Sequence, residues 1–402
     1  LAASATNGYF SHGVGIKAKG MGGATLAVPQ DALAGGNNPA AVAFLGDRFD
    51  VGVDWFRPDR GSEITGNMSD PINAVYDAND TEAFFVPEIG VTKTISDRLA
   101  LGLSIYGNGG MNTSYTTPIP LFDGSPEPSN AGVDLMQAFI VPTVAVKIND
   151  RHALGLGLNV AWQRFEATGL ANFMQMSSDA ESLTDNDYST SIGFGARVGW
   201  LGRLSDMISV GAAYQSRTFM GEFEDYAGLF AEDGGFDIPS SVHGGIAVMP
   251  APGLVIASDV AYIMYSEINS VANPLLPNLW EAQLGTEDGA GFGWEDVTAF
   301  KVGAAYDVTA DLTLRAGYNY GAQPIPESET LFNMLAPGVV ETHATFGATW
   351  RVTPSAEISL AYVKAFEKTV EGADSIPAEF GGGEADLTMS QDTFGVAFGM
   401  TY

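Results

Sequence analysis

Hydrolytic chemistry needs a general base beside a nucleophile, and four histidines are available for that role: His12, His152, His243 and His343. His12 lies in a glycine-rich stretch and His152 follows the tight turn Asn149-Asp150-Arg151, which leaves little for an outward-facing Ser–His or Asp–His pair. An enzyme is therefore not expected. Gly13-x-Gly15 and Gly20-x-Gly22 lack the strand, turn, helix and downstream acid of a nucleotide-binding loop. No metal site and no cofactor are expected. The chemistry that remains is noncovalent. Arg197, Arg217, Arg315 and Arg351 carry planar guanidinium groups suited to a carboxylate, and His243 and His343 are weaker candidates for the same task. Phe10, Met21, Leu26 and Phe44 could line an apolar pocket. For each of these residues alone, pairing with a neighbouring acid or plain packing is the simpler role.

These side chains are carried by strands. The dominant pattern is period-2 alternation in segments of about ten residues. Leu154, Leu156, Leu158, Val160 and Trp162 alternate with Gly155, Gly157, Asn159, Ala161 and Gln163, and Ile192, Phe194, Ala196, Val198 and Trp200 alternate with Ser191, Gly193, Gly195, Arg197 and Gly199. Leu99, Leu101, Leu103 and Ile105 repeat the pattern, as do Phe394, Val396, Phe398, Met400 and Tyr402. One face is large and apolar while the other is small or polar. A soluble sandwich needs bulk on its inner face, so the large face here meets lipid. Trp55, Trp162, Trp200 and Trp350 fall near segment ends, as interfacial aromatics do.

Fourteen such segments begin near residues 49, 82, 98, 133, 152, 187, 206, 238, 252, 294, 311, 340, 355 and 387. Short turns such as Ser96-Asp97-Arg98 and Thr353-Pro354-Ser355 alternate with long connections near 60–81, 109–132, 169–186, 222–237, 267–293, 322–339 and 370–386. An even strand number with short turns at one end and long loops at the other predicts an all-β, 14-stranded antiparallel transmembrane β-barrel of the bacterial outer membrane. The final aromatic, Tyr402, is in the outward phase. Mean hydropathy of +0.08 fits such a barrel and a soluble protein equally well. The absence of cysteine fits an oxidising periplasm as well as any other compartment. Leu1 opens the sequence and Ala3-Ser4-Ala5 has the small-x-small form of a signal-peptidase site, which predicts export through a cleaved signal peptide.

The formal net charge is −30, which argues against nucleic acid as a partner. The acid is concentrated in the long loops. Between Arg217 and Lys301 there is no Lys or Arg, while Glu222, Asp233, Glu267, Asp288 and Asp296 are among the acids found there. Outer-membrane lipid and lipopolysaccharide are the expected surroundings, and divalent cations could bridge the acidic outer loops to them; a merely solvated surface is the simpler alternative. A monomer is expected.

Residues 1–48 do not alternate and are rich in Gly, Ala and Asn, and they include Asn37-Asn38-Pro39-Ala40. A 14-stranded lumen is too wide for its own side chains to fill. This predicts two units: an N-terminal plug over 1–48, folded inside a barrel over 49–402.

The run Ala18-Lys19-Gly20-Met21-Gly22-Gly23-Ala24, then Asp31-Ala32, then Asn38-Pro39-Ala40, resembles the hatch signature of the FadL/TodX outer-membrane transporters of long-chain fatty acids and hydrocarbons. Ser104-Ile105-Tyr106-Gly107-Asn108-Gly109-Gly110 is similar to the third strand where that family's barrels kink inward, and Leu314-Arg315-Ala316-Gly317-Tyr318 with Pro324-Ile325-Pro326 also resembles it. The resemblance implies passive uptake of hydrophobic compounds. Movement of a hatch at Asn37, Asn38 and Pro39 would free a side exit at Gly107, Asn108, Gly109 and Gly110. Asn108 is expected to bond the hatch, for example through Asn37 or Asn38. Loop 109–132 departs from the family in being short and proline-rich (Pro118, Pro120, Pro126, Pro128), so an outer capture groove built there is not implied. A FadL-like barrel could instead serve as a binding or shuttle partner in protein secretion, and a general porin is a third option.

Overall fold

The structure, a computed structural model, describes residues 6–402, and the Ala3-Ser4-Ala5 triplet lies outside the described residues. Among these residues fourteen long strands close a barrel: β1 Arg48–Thr65, β2 Phe84–Thr94, β3 Leu99–Ser114, β4 Gly132–Asn149, β5 His152–Thr168, β6 Ser189–Arg203, β7 Ile208–Gln215, β8 Ser241–Ala251, β9 Leu254–Ile263, β10 Val297–Asp307, β11 Leu312–Gly321, β12 Thr342–Thr353, β13 Ala356–Val370 and β14 Glu384–Thr401. Each begins within three residues of the position expected from the alternation. Every strand pairs antiparallel with its sequence neighbours, and β14 closes on β1 in one unbroken register from Arg48↔Thr401 to Thr65↔Glu384. Closure pairs the strands around the ring, apart from the stretch of β2 before Ile89 that β3 does not accompany, and a closed sheet is what can cross a bilayer. Two short strands, Val75–Asp77 and Phe219–Met220, pair onto β1 and β6.

The apolar face points outward. On β5, Leu154, Leu156 and Leu158 are exposed, while Gly157, Asn159, Ala161 and Gln163 are buried. Trp55 and Trp350 are also exposed on the outer face, whereas Trp200 is half-buried and stacks on His152 at 5.8 Å. The wall is uneven in height: β1, β4 and β14 have 18 residues, but β7 has 8 and β9 and β11 have 10. A crossing needs about 9–11 residues, so the long strands carry on beyond the bilayer.

The lumen holds residues 6–47, nearly all buried. They form a short helix, α1 Ile16–Lys19, and two 3₁₀ turns, Ala32–Gly36 and Pro39–Phe44. Asp31 caps the first turn by accepting from Leu33 N at 3.1 Å; Asn38 caps the second by accepting from Ala40 N at 3.1 Å, with Pro39 in the first position, where its missing N–H costs nothing. The small inward residues of the wall seat this backbone. A Cβ at Gly317 would collide with the Met21–Gly22 peptide, and Gly22 itself (φ 65°) donates to Thr345 Oγ1 at 2.8 Å. This explains why the inner face carries glycine rather than bulk.

The long loops fold over the outer mouth and bury Phe165, Phe173, Phe223, Phe230, Phe236, Tyr265, Trp294 and Phe332 in one cluster. The proline-rich connection joins this cap: Ile119 and Phe122 are buried in it, and Tyr115 Oη donates to the Met334 carbonyl at 2.8 Å.

Candidate functional site

The N-terminal segment is held by charged side chains that point inward from the wall. Asp259 on β9 accepts from the amides of Thr25 (2.8 Å) and Leu26 (2.9 Å), Asp50 on β1 from Ala32 N (2.9 Å), and Glu88 on β2 from Ile16 N (2.9 Å). Lys301 on β10 donates to the His12 carbonyl at 2.7 Å. Lys17 pairs with Glu357, and Lys19 pairs with Asp54 and, at 3.3 Å, with Glu88. Burial alone would lower the Lys19 pKa, but Asp54 and Glu88 outweigh it and hold the ammonium above its ordinary value. Asp31 moves the other way: burial first, then the nearby Asp50 charge, push its carboxyl up to about 6.

Beside this segment the wall is broken. β2 and β3 pair from Thr94↔Ala100 to Ile89↔Ile105 and no further, while β2 continues along β1 to Phe84 and β3 continues along β4 to Ser114. Between Gly107 and Gly109 the β3–β4 register shifts, leaving Asn108 as the extra residue of a bulge. The facing edge of β2 carries Pro87, which has no N–H to offer a returning strand. The groups that β3 withdraws from β2 are taken up from inside. Gly110 N donates to the Tyr9 carbonyl at 3.1 Å, Ser11 N donates to the Asn108 carbonyl at 3.3 Å, and Phe10 lies opposite Gly109 in an isolated bridge.

A cavity of about 70 Å³ lies against Phe10, Ser11, His12, Asn37, Tyr106 and Asn108 on one side and Arg197, Gln215, His243, Asp259 and Lys301 on the other. Several of its polar atoms have no hydrogen-bond partner among the described residues: Tyr106 Oη, Arg197 Nε, Gln215 Nε2, Asp259 Oδ1 and His12 Nδ1. Buried polar atoms left open are costly, so this space suits water or a polar head group. A second, apolar cavity of about 40 Å³ sits in the outer cap, lined by Phe165, Phe173, Phe230, Leu284, Phe292 and Phe332 among others. Aromatic rings bridge the two cavities: Phe230 to Phe236 (4.9 Å), Phe236 to Tyr9 (6.1 Å) and Tyr9 to Phe10 (5.3 Å), with Phe292, Trp294 and Tyr9 as a parallel path (6.4 and 5.9 Å).

Of the residues singled out from sequence, Phe10, Leu26, Asn37, Asn108, Arg197 and His243 line the polar cavity. The others lie elsewhere. Met21 is buried against the wall, Phe44 stacks under Arg203 (4.4 Å) and Lys147 (5.6 Å), and Arg315 bonds Gln30 Oε1 (2.8 Å) and Thr349 (2.7 Å). Arg217 belongs to the outer loops, paired with Asp237 at 2.7 Å, and Arg351 is exposed and bonds the Ala310 carbonyl. His343 is buried and stacks on His12 at 6.0 Å. The expected bond from Asn108 to Asn37 or Asn38 is not formed. Asn38 Nδ2 is taken by the carbonyls of Leu26 and Trp200 (both 3.0 Å), Asn37 closes on Val14 (3.0 and 2.7 Å), and Asn108 Nδ2 donates to Gln137 at 3.2 Å. Among the described residues, no cluster of three or more His, Asp or Glu is placed to hold a metal ion. The five inward acids Asp50, Asp54, Glu88, Asp259 and Glu357, with Lys301, are not among the residues that sequence reasoning singles out. Their signal was available as charge in the small-residue phase of a lipid-spanning strand.

Comparison with known proteins agrees with this architecture. Residues 7–402 match the model of the family described as outer membrane protein transport protein (OMPP1/FadL/TodX). Among solved structures, the Pseudomonas putida toluene transporter TodX superposes with a TM-score of 0.74 at 17% identity, covering 97% of this chain and 99% of that one. A Pseudomonas aeruginosa FadL homologue gives 0.73 at 18% identity (98% and 99%), and the Ralstonia pickettii toluene transporter TbuX gives 0.68 at 17% (97% and 99%). No curated protein matches the sequence. Members of this family are transport channels, not enzymes. With its model matched over nearly the whole length and its barrel shared, the chain belongs to the FadL/TodX family of outer-membrane transport proteins.

Proposed function

We propose that this barrel takes up hydrophobic compounds passively, gathering them in the apolar cavity of the outer cap and releasing them sideways through the break between β2 and β3 when residues 6–47 shift as a hatch. The observation that carries this reading is the exchange of partners along β3. Beyond Ile105 it gives up β2, and its freed groups at Asn108 and Gly110 are satisfied by Tyr9 and Ser11. A segment that supplies those bonds from inside can withdraw them by moving. A greasy molecule crosses the polar sugar layer poorly but partitions readily into lipid, so a side exit delivers it where it is stable. The test is a cysteine pair at Ser11 and Asn108, introduced into a chain that has no cysteine of its own. Cross-linking the pair should stop uptake of a hydrophobic compound, and reduction should restore it; uptake that continues in the cross-linked protein contradicts the reading.

The polar cavity favours cargo with an acidic head over a bare hydrocarbon, although two of the structural relatives are named as toluene transporters. Arg197 and Lys301 face that cavity, and Arg197 Nε has no partner among the described residues. A carboxylate passing Phe10 would meet both cations in a space shielded from bulk water, where charge-assisted hydrogen bonds are strong.

A further inference from the structure

Arg60 sits on the inward phase of β1, is 2% exposed, and is paired with no acidic side chain among the described residues. Its guanidinium is spent on neutral oxygens from two other segments. Nη1 donates to the Asn112 carbonyl and, at 2.7 Å, to Asn112 Oδ1; Nη2 donates to the Thr81 carbonyl at 2.5 Å; Nε reaches Asn79 Oδ1 at 3.4 Å. Asn112 lies on the part of β3 that has left β2, and Asn79 and Thr81 lie just ahead of β2. Beyond them the chain closes again: Ser114 N donates to the Ala78 carbonyl at 3.1 Å and Asp80 N to the Ser114 carbonyl at 3.0 Å. The break between β2 and β3 therefore has a sill at Ile89↔Ile105 and a head at residues 78–81 and 112–114, and Arg60 ties the two sides of that head together.

We infer that Arg60 is the lintel of this opening, a positioning residue that fixes its height and with it the girth of the molecule that passes. The inference rests on the sideways-exit reading above. A guanidinium suits the task because its rigid fork engages several acceptors at once, whereas an ammonium offers one centre. Remove it, and the carbonyls of Thr81 and Asn112 are left facing each other with no donor between them. The upper part of β3 is then held to residues 78–81 only by the backbone hydrogen bonds at Ser114, and the opening lengthens toward that residue.

The test compares the full-length protein with Arg60→Ala and Asn112→Ala in proteoliposomes, using a straight-chain fatty acid and a bulky polycyclic hydrocarbon as probes. Arg60→Ala should raise polycyclic uptake relative to the straight chain by roughly tenfold, with straight-chain uptake held within about twofold. Asn112→Ala, which removes one acceptor and keeps the guanidinium, should move the ratio the same way by less. It decides the question alone should Arg60→Ala not fold. An unchanged ratio in folded protein overturns the inference and leaves Arg60 an ordinary buried arginine. In a third arm a bifunctional maleimide bridges cysteines at Val86 and Asn108 across the opening. If the bridged protein still takes up both probes, the sideways exit is wrong and the lintel falls with it. If bridging stops both probes while the Arg60→Ala ratio stays at the wild-type value, only the lintel is wrong.

Discussion

The amide of Gly110 donates to the carbonyl of Tyr9 over 3.1 Å, so a strand of the wall is hydrogen-bonded to the segment inside it rather than to the next strand. In a closed barrel such groups belong to a neighbouring strand, because nothing in lipid can replace one. Here the lumenal segment acts as a substitute neighbour. The integrity of the wall and the position of the segment are thereby a single variable.

Gly109→Ala tests that coupling. A methyl group there would collide with the Tyr9 carbonyl oxygen. Residues 9–11 should then be pushed off β3, with the loss of two hydrogen bonds worth about 1 kcal/mol each. The wild type, with its lumen filled, should carry little steady current in planar bilayers, and the variant should carry more. A variant as quiet as the wild type would show that the segment tolerates displacement without opening the barrel.

Lys19 anchors the segment to β1 and β2. Lys19→Met leaves Asp54 and Glu88 buried without their cation, and breaking a buried pair in this way typically costs about 3–5 kcal/mol. Limited proteolysis should cleave the N-terminal segment faster in the variant, while the barrel itself stays resistant.

Docking of the segment should also depend on pH. The Asp31 carboxyl is raised to about 6 when buried, so the docked form holds its proton more tightly than an exposed one would. Its contribution is favourable at low pH and is lost as pH rises through about 6. Protease resistance of the segment should therefore be greater at pH 5 than at pH 7.5. Asp31→Asn keeps a capping oxygen for Leu33 and should weaken that dependence.

The two cavities make separable predictions. Phe292→Asp puts a charge in the apolar outer cavity and should weaken binding of both a fatty acid and a hydrocarbon by tenfold or more, on the order of 1.4 kcal/mol. Trp294 fluorescence, 6.4 Å away ring to ring, reports that binding. Arg197→Ala should weaken the fatty acid alone. Equal loss for both compounds in Arg197→Ala would mean that the polar cavity does not read the head group.

Much of the barrel was legible because lipid imposes its own alternation. Leu154, Leu156 and Leu158 announce an outward face whatever fills the inside. Strand ends were harder to place, since β1, β4 and β14 run past the bilayer as polar extensions with no lipid to keep their pattern. A register shift does fall within Gly107-Asn108-Gly109-Gly110, but the segment that lies against it could not be read. Tyr9 and Ser11 act through backbone atoms that any residue carries, and Asn108 turns to Gln137 because Asn38 is already spent on Leu26 and Trp200. Phe44 and Arg217 have suitable chemistry in the wrong place. The polar cavity is assembled from the N-terminal segment and from strands as distant in sequence as β3 and β10, and spacing alone does not bring them together.

The central claim is that cargo leaves sideways between β2 and β3. Its most direct test is uptake of a hydrophobic compound by the Val86→Cys/Asn108→Cys protein before and after bridging with a bifunctional maleimide. The account expects uptake to fall to the level of liposomes without protein, with each single cysteine variant treated in the same way remaining active. Full uptake through a bridged wall would contradict it and send the cargo down the barrel axis instead.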